Sequence, residues 1–130
     1  MNIIIIHKNN ADFIHKLIKV NSSYNNINIH FLGDYGNKHI DKLNKNIKFD
    51  YIDKYHSNEI DIFKKNYIHD NVNNYKYELF CFTRFFYLYN YCNKNNIENF
   101  LYLDSDILLL DNISKYIDNV SVDVQVLCNS

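Results

Sequence analysis

The 130-residue chain has no proline, no tryptophan and only two glycines, and Ala11 and Arg84 are its single alanine and single arginine. Asn, Ile, Lys, Tyr and Phe stand in their place. These residues share A- and T-rich codons, so a nucleotide bias explains the skew and the asparagine load carries no functional weight. The bias sharpens one position. Where lysine is the default cation, a lone arginine stands for what only a planar guanidinium does.

Net charge is also lacking, at -1. No global basic field holds nucleic acid or an anionic membrane, and no nucleic-acid partner is expected. No apolar run approaches the roughly 18 residues that span a bilayer. Ile3–Ile6 has no basic region before it, so it is not a secretory signal. A cytoplasmic location is expected, with peripheral contact at the inner face of a membrane left open. Three cysteines show no C-x-x-C spacing, and Cys81 and Cys92 lie about 16 Å apart along one helical stretch, too far to bridge. They read as free thiols in a reducing compartment. The six histidines hold no i,i+4 pair around an acid, which argues against zinc. Rossmann, P-loop and nucleophile-elbow motifs are absent.

The patterning predicts strands at Asn2–His7, Ile27–Leu32, Ile47–Ile52 and Phe100–Leu103, with a fifth at Val120–Leu127. Between them it predicts a helix through Phe13, Leu17 and Ile18 capped by Asn9 or Asn10, a short helix Lys38–Leu43, and a polar helix from Ser57 or Asn58 to Tyr67. Tyr77–Asn93 is apolar nearly all round and is expected to be a central helix, covered on most sides and packed on Phe100–Leu103. A short helix through Tyr116, capped by Asp111, follows. The turn Gly33–Gly36 holds both glycines, as unusual backbone angles require. Alternating strands and helices give an α/β fold: an open, mainly parallel sheet with helices on both faces. The chain stops in or just after a strand, so it is expected to be the first part of a larger domain. Apolar faces at Ile107–Leu110 and Val122–Val126 are then expected to be exposed.

In such sheets ligands sit at the carboxyl ends of strands. The sharpest such end is Asp104-Ser105-Asp106. Carboxylates at i and i+2 of an extended segment share a side. Side by side they call for a divalent cation, and hard oxygen ligands favour Mg²⁺ or Mn²⁺. Glycine or asparagine is the more usual turn residue between two apolar runs. Arg84 sits about 13 Å before its helix ends, and Phe100 to Asp104 climbs back about 13 Å, so Arg84 stands level with the aspartates. A guanidinium in an aromatic wall needs an anion: a carboxylate of the chain, or a bound phosphate or sugar. His7 and Lys8 end the first strand and are further candidates to meet a base or phosphate.

The block Tyr77-Glu78-Leu79-Phe80-Cys81-Phe82-Thr83-Arg84-Phe85-Phe86, followed by Asn99-Phe100-Leu101-Tyr102-Leu103-Asp104-Ser105-Asp106-Ile107-Leu108-Leu109, resembles the nucleotide-sugar-binding half of GT-A-fold glycosyltransferases, nearest to family 8 and related bacterial sugar transferases. The resemblance implies a metal-dependent transferase. It would move a sugar from a nucleoside-diphosphate sugar donor to a glycan or lipid-linked acceptor. It implies that Asp104 and Asp106 hold Mn²⁺ or Mg²⁺, that Arg84, Asp104, Ser105 and Asp106 contact the donor, and that His7, Lys8 and Asn9 face the base. That loop departs from the acidic one of many members. The family's second metal ligand and acceptor pocket are not found in these residues, and no catalytic residue is assigned. The alternative is an α/β domain that binds a nucleotide sugar without turnover. A haloacid-type phosphatase is disfavoured, because its Asp-x-Asp follows the first strand and continues differently.

Overall fold

A computed structural model describes residues 1–24 and 27–117. The strand expected at Val120–Leu127 and the apolar face at Val122–Val126 lie outside the described residues. Four strands, β1 (Asn2–His7), β2 (Asn28–Gly33), β3 (Ile47–Tyr51) and β4 (Leu101–Leu103), form one open sheet in the order β3-β2-β1-β4, every pair parallel. The helices are α1 (Asp12–Asn21), α2 (Asn58–Asn66), α3 (Tyr75–Asn95) and α4 (Ser114–Ile117), with 3₁₀ turns at Tyr35–Lys42 and Ile52–Tyr55. The architecture is the expected α/β fold with helices on both faces. No helix among the described residues is long and apolar enough to cross a membrane.

β1 explains the layering. Its four isoleucines alternate, so Ile3 and Ile5 pack with Ile14, Leu17 and Ile18 of α1, while Ile4 and Ile6 pack with Tyr87, Leu88 and Tyr91 of α3. Both cores are closed against the same buried strand.

Four local expectations are corrected. Neither Asn9 nor Asn10 caps α1; the cap position is Ala11, without a side-chain bond. Asn9 is instead in the left-handed region (φ 70°), a conformation asparagine tolerates. No glycine has positive φ. Gly33 is required by space, since a Cβ there would lie 2.8 Å from the Cβ of Asn37. The segment after Gly33 is a 3₁₀ turn starting at Tyr35, with Asp34 accepting from the Gly36 amide. α3 is longer than expected, because Asn74 accepts from the amides of Lys76 and Tyr77, but it is not covered nearly all round. Tyr77, Phe82, Phe85 and Tyr89 are exposed. Its buried side, Thr83, Tyr87, Leu88, Tyr91 and Cys92, packs with Ile4 and Ile6 of β1, Leu32 of β2, Ile52 and Tyr55 of the second 3₁₀ turn and Ile60 of α2, and Tyr102 is the β4 residue at its edge. Cys81 and Cys92 are free thiols.

Candidate functional site

The register Ile3↔Leu101 and Ile5↔Leu103 brings His7 level with Ser105 one step beyond the sheet. Their side chains meet there, His7 Nδ1 to Ser105 Oγ at 2.9 Å. Burial pushes the His7 imidazole below its ordinary 6.5, against the opposing pull of Asp34, so the ring is neutral at neutral pH.

Asp104 falls on the other face of β4, toward α3. Arg84 Nη1 donates to its Oδ1 at 2.6 Å, and the Tyr102 hydroxyl donates to the same oxygen at 3.3 Å. The two helical and strand distances of about 13 Å thus bring Arg84 level with Asp104. The guanidinium lies against the rings of Phe85 and Tyr102, 5.2 and 5.6 Å from their centres, and its Nε donates to the carbonyl of Cys81 at 3.1 Å. Burial pushes the Tyr102 hydroxyl well above its ordinary range, so it stays a donor.

Asp104-Ser105-Asp106 is not extended. The Ile107 amide donates to the Asp104 carbonyl at 3.1 Å, closing a turn directly after β4. Asp at the first position and Ser at the second suit such a turn. The two carboxylates therefore do not share a side in the i,i+2 manner of a strand. Asp106 is exposed and makes no hydrogen bond or ion pair among the described residues.

Lys8 and Asn9 point elsewhere. Lys8 reaches Asp53 at 3.5 Å and lies over the rings of Phe80 and Tyr87. The Asn9 amide donates to Asp34 Oδ2 at 2.7 Å, and its carbonyl accepts from Asn37 at 2.9 Å. They rim the same end of the sheet without joining the Asp104 group.

Three contributors lie outside the residues assigned to the site from the sequence. Asp34 ties the β1–α1 loop to the 3₁₀ turn; its signal was a carboxylate at a strand end, two residues before a glycine. Tyr102 precedes Asp104 by two, hence lies on the same face of β4. Asn21, fully buried at the end of α1, donates to the Ile107 carbonyl at 2.9 Å and accepts from the Leu109 amide at 2.8 Å. It fixes the chain beyond the aspartate turn as a pairing strand would. Abundant asparagine hid it. Ile107, Leu108 and Leu110 are exposed, as expected, while Leu109 is buried.

At this end of the sheet Lys8 pairs with Asp53 and Arg84 with Asp104, while Asp34 accepts from the amides of Asn9 and Gly36. Among the described residues no group of three or more His, Cys, Asp or Glu side chains comes together to hold a metal. Asp104 Oδ2 and Asp106 offer two carboxylate positions. A divalent ion on two such carboxylates would need phosphate oxygens and water to complete its shell. No protein-family model matches the chain, and no curated protein or solved structure matches it significantly.

Proposed function

We propose that the chain is the donor-binding part of a glycosyltransferase that takes its sugar from a nucleoside diphosphate. One observation carries this reading. The chain adds β2 and β3 on one side of β1, then crosses to place β4 on the other. The strand order therefore reverses between β1 and β4, where open α/β sheets bind ligands. His7, Arg84, Asp104, Ser105 and Asp106 all gather at that switch point. Asp104 and Asp106 would hold Mn²⁺ or Mg²⁺, which when bound supplies Lewis-acid stabilisation of the leaving diphosphate. Arg84 orients and neutralises the diphosphate from the aromatic wall. Asn21 and the His7–Ser105 bond keep the aspartate turn in place. The same reading puts the protein in the cytoplasm or at the inner face of a membrane, with a glycan or lipid-linked acceptor.

The test is calorimetric titration with uridine, guanosine, adenosine and cytidine diphosphates, with and without Mn²⁺. At least one should bind in a Mn²⁺-dependent way, and Asp106→Asn should weaken it by about tenfold or more, the scale of losing one charge from a half-exposed ion site. Equal binding by Asp106→Asn sinks the reading. Binding without sugar transfer or donor hydrolysis would favour the non-catalytic alternative.

A further inference from the structure

We propose that Arg84 is a displaceable counter-cation, which keeps Asp104 from a divalent metal until a diphosphate draws the guanidinium away. Metal and diphosphate then bind this edge together far better than either binds alone. This rests on the diphosphate-sugar reading above and adds to it an order of events and a regulator.

The geometry of the ion pair carries the argument. Arg84 and Asp104 meet through a single pair of atoms, Nη1 and Oδ1. A structural Arg–carboxylate clamp uses both arms of the fork on both oxygens. Here Nε is already committed to the carbonyl of Cys81 on the same helix. Nη2 of Arg84 and Oδ2 of Asp104 have no hydrogen-bond partner among the described residues. One donor and one acceptor are thus left open on the two sides of the contact.

Burial is uneven as well. The Arg84 side chain is 21% exposed and that of Asp104 is 48% exposed. The cation lies against two rings, mostly shielded from water, and needs an anion at all times. The carboxylate faces solvent, so it can part from the cation at lower cost. A metal approaching Asp104 meets a resident positive charge, and the two compete for one carboxylate. A diphosphate has charge for both. It offers oxygens to Nη1 and Nη2 in the planar manner guanidinium favours, and it bridges to the metal. Tyr102 stays on Asp104 Oδ1 throughout, so the carboxylate keeps its orientation after Arg84 leaves. By linkage, each ligand must raise the affinity of the other by the same factor. A static tether between α3 and β4 predicts none of this.

The decisive experiment follows Mn²⁺ by the paramagnetic resonance of the free ion, with no nucleotide present and then with inorganic pyrophosphate, corrected by a protein-free titration. Pyrophosphate avoids any dependence on the base. In the wild-type chain pyrophosphate should tighten Mn²⁺ binding at least about tenfold, the weight of one neutralised neighbouring charge. Arg84→Gln should tighten binding of Mn²⁺ alone by about tenfold and reduce the pyrophosphate gain to about twofold, for the same reason. Arg84→Lys keeps the charge and should leave Mn²⁺ alone as weak as in wild type, which controls for any loss of fold in the Gln variant. Equal Mn²⁺ affinity with and without pyrophosphate in wild type overturns the proposal, as does an Arg84→Gln variant that binds Mn²⁺ no tighter. If Mn²⁺-dependent nucleoside diphosphate binding survives and requires Asp106, only the counter-cation idea falls. If wild type takes up Mn²⁺ under neither condition and binds no nucleoside diphosphate, the transferase reading falls with it.

Discussion

The two faces of the sheet are built from different chemistry. On the α1 side, Ile3, Ile5, Ile14, Ile18, Ile27, Ile29 and Phe31 are almost wholly excluded from solvent, and the buried polar Asn21 pairs with backbone. On the α3 side, three buried tyrosines join the aliphatic residues, and each carries its hydroxyl to a polar partner: Tyr55 to Asp50, Tyr87 to His56, Tyr91 to His30. The aliphatic face has nothing to offer a ligand and can be sealed. The aromatic face carries cations at its edge, because the charged heads of Lys8 and Arg84 lie over its rings near the carboxyl ends of the strands. The candidate site is where the two meet: His7 arrives from the α1 side against Phe13, Arg84 from the α3 side.

The sharpest way to break this contrast is on the aliphatic side. Ile18→Ala removes a side chain that is 0% exposed, in a cluster of buried aliphatic residues. It should cost about 2–5 kcal/mol in urea unfolding, the transfer and cavity terms acting together. A loss below about 1 kcal/mol would mean that α1 is loosely seated and the two faces do not differ as described.

Stability should respond to pH through two half-buried imidazoles, His30 on the aromatic side and His7 where the two faces meet. His30 lies between the Tyr91 hydroxyl at 2.7 Å and Asn2 Oδ1 at 3.3 Å. Neutral imidazole satisfies both, with Nε2–H donating to Asn2 and Nδ1 accepting from Tyr91. Burial, then the nearby charge of Lys48, pushes His30 below its ordinary 6.5. His7 is depressed too, mainly by burial. Below about pH 6.5 the unfolded chain therefore takes up protons that the native state resists. Stability is full above that pH and falls as pH drops through the native values. The urea midpoint should be lower at pH 5 than at pH 7.5. Tyr91→Phe should cost about 1 kcal/mol at pH 7.5, and less at pH 5, where the neutral imidazole it served is being lost. A midpoint unchanged between the two pH values would remove His30 and His7 from the account.

Much of this was legible in sequence, for physical reasons that also mark where legibility stopped. β1 reads plainly because a run of β-branched residues has few other homes, and its alternation assigns both faces at once. The level of Arg84 against Asp104 follows from rise per residue alone. What failed depends on neighbours. Asp104–Asp106 has the composition of both a strand end and a turn, and the Ile107 amide decides between them. Gly33 carries no sign that it serves space and not φ, since Asn37 arrives from a different element. Asn21 looks like every other asparagine in a chain rich in them, and only burial beside the Ile107–Leu109 backbone sets it apart. The outer face of α3 misleads most. Its rings read as core because aromatic residues are mostly buried, yet this chain uses them on both sides of the helix.

That outer face yields the smallest expected effect. Phe82 is 47% exposed and touches the rings of Phe63 and Tyr67, 6.2 and 5.7 Å away between centres. A fully buried phenylalanine in its place would cost about 3–5 kcal/mol on truncation to alanine. With half its surface in water, Phe82→Ala forfeits only part of the transfer term and opens no closed cavity, so about 1 kcal/mol is expected. The measurement is urea unfolding at two protein concentrations a hundredfold apart. A small cost, equal at both, places Phe82 on a free surface and keeps α3 as a one-sided helix. A cost above about 3 kcal/mol that grows with concentration would mean a second copy covers the face in solution, since only then does association add to the stability of the native state.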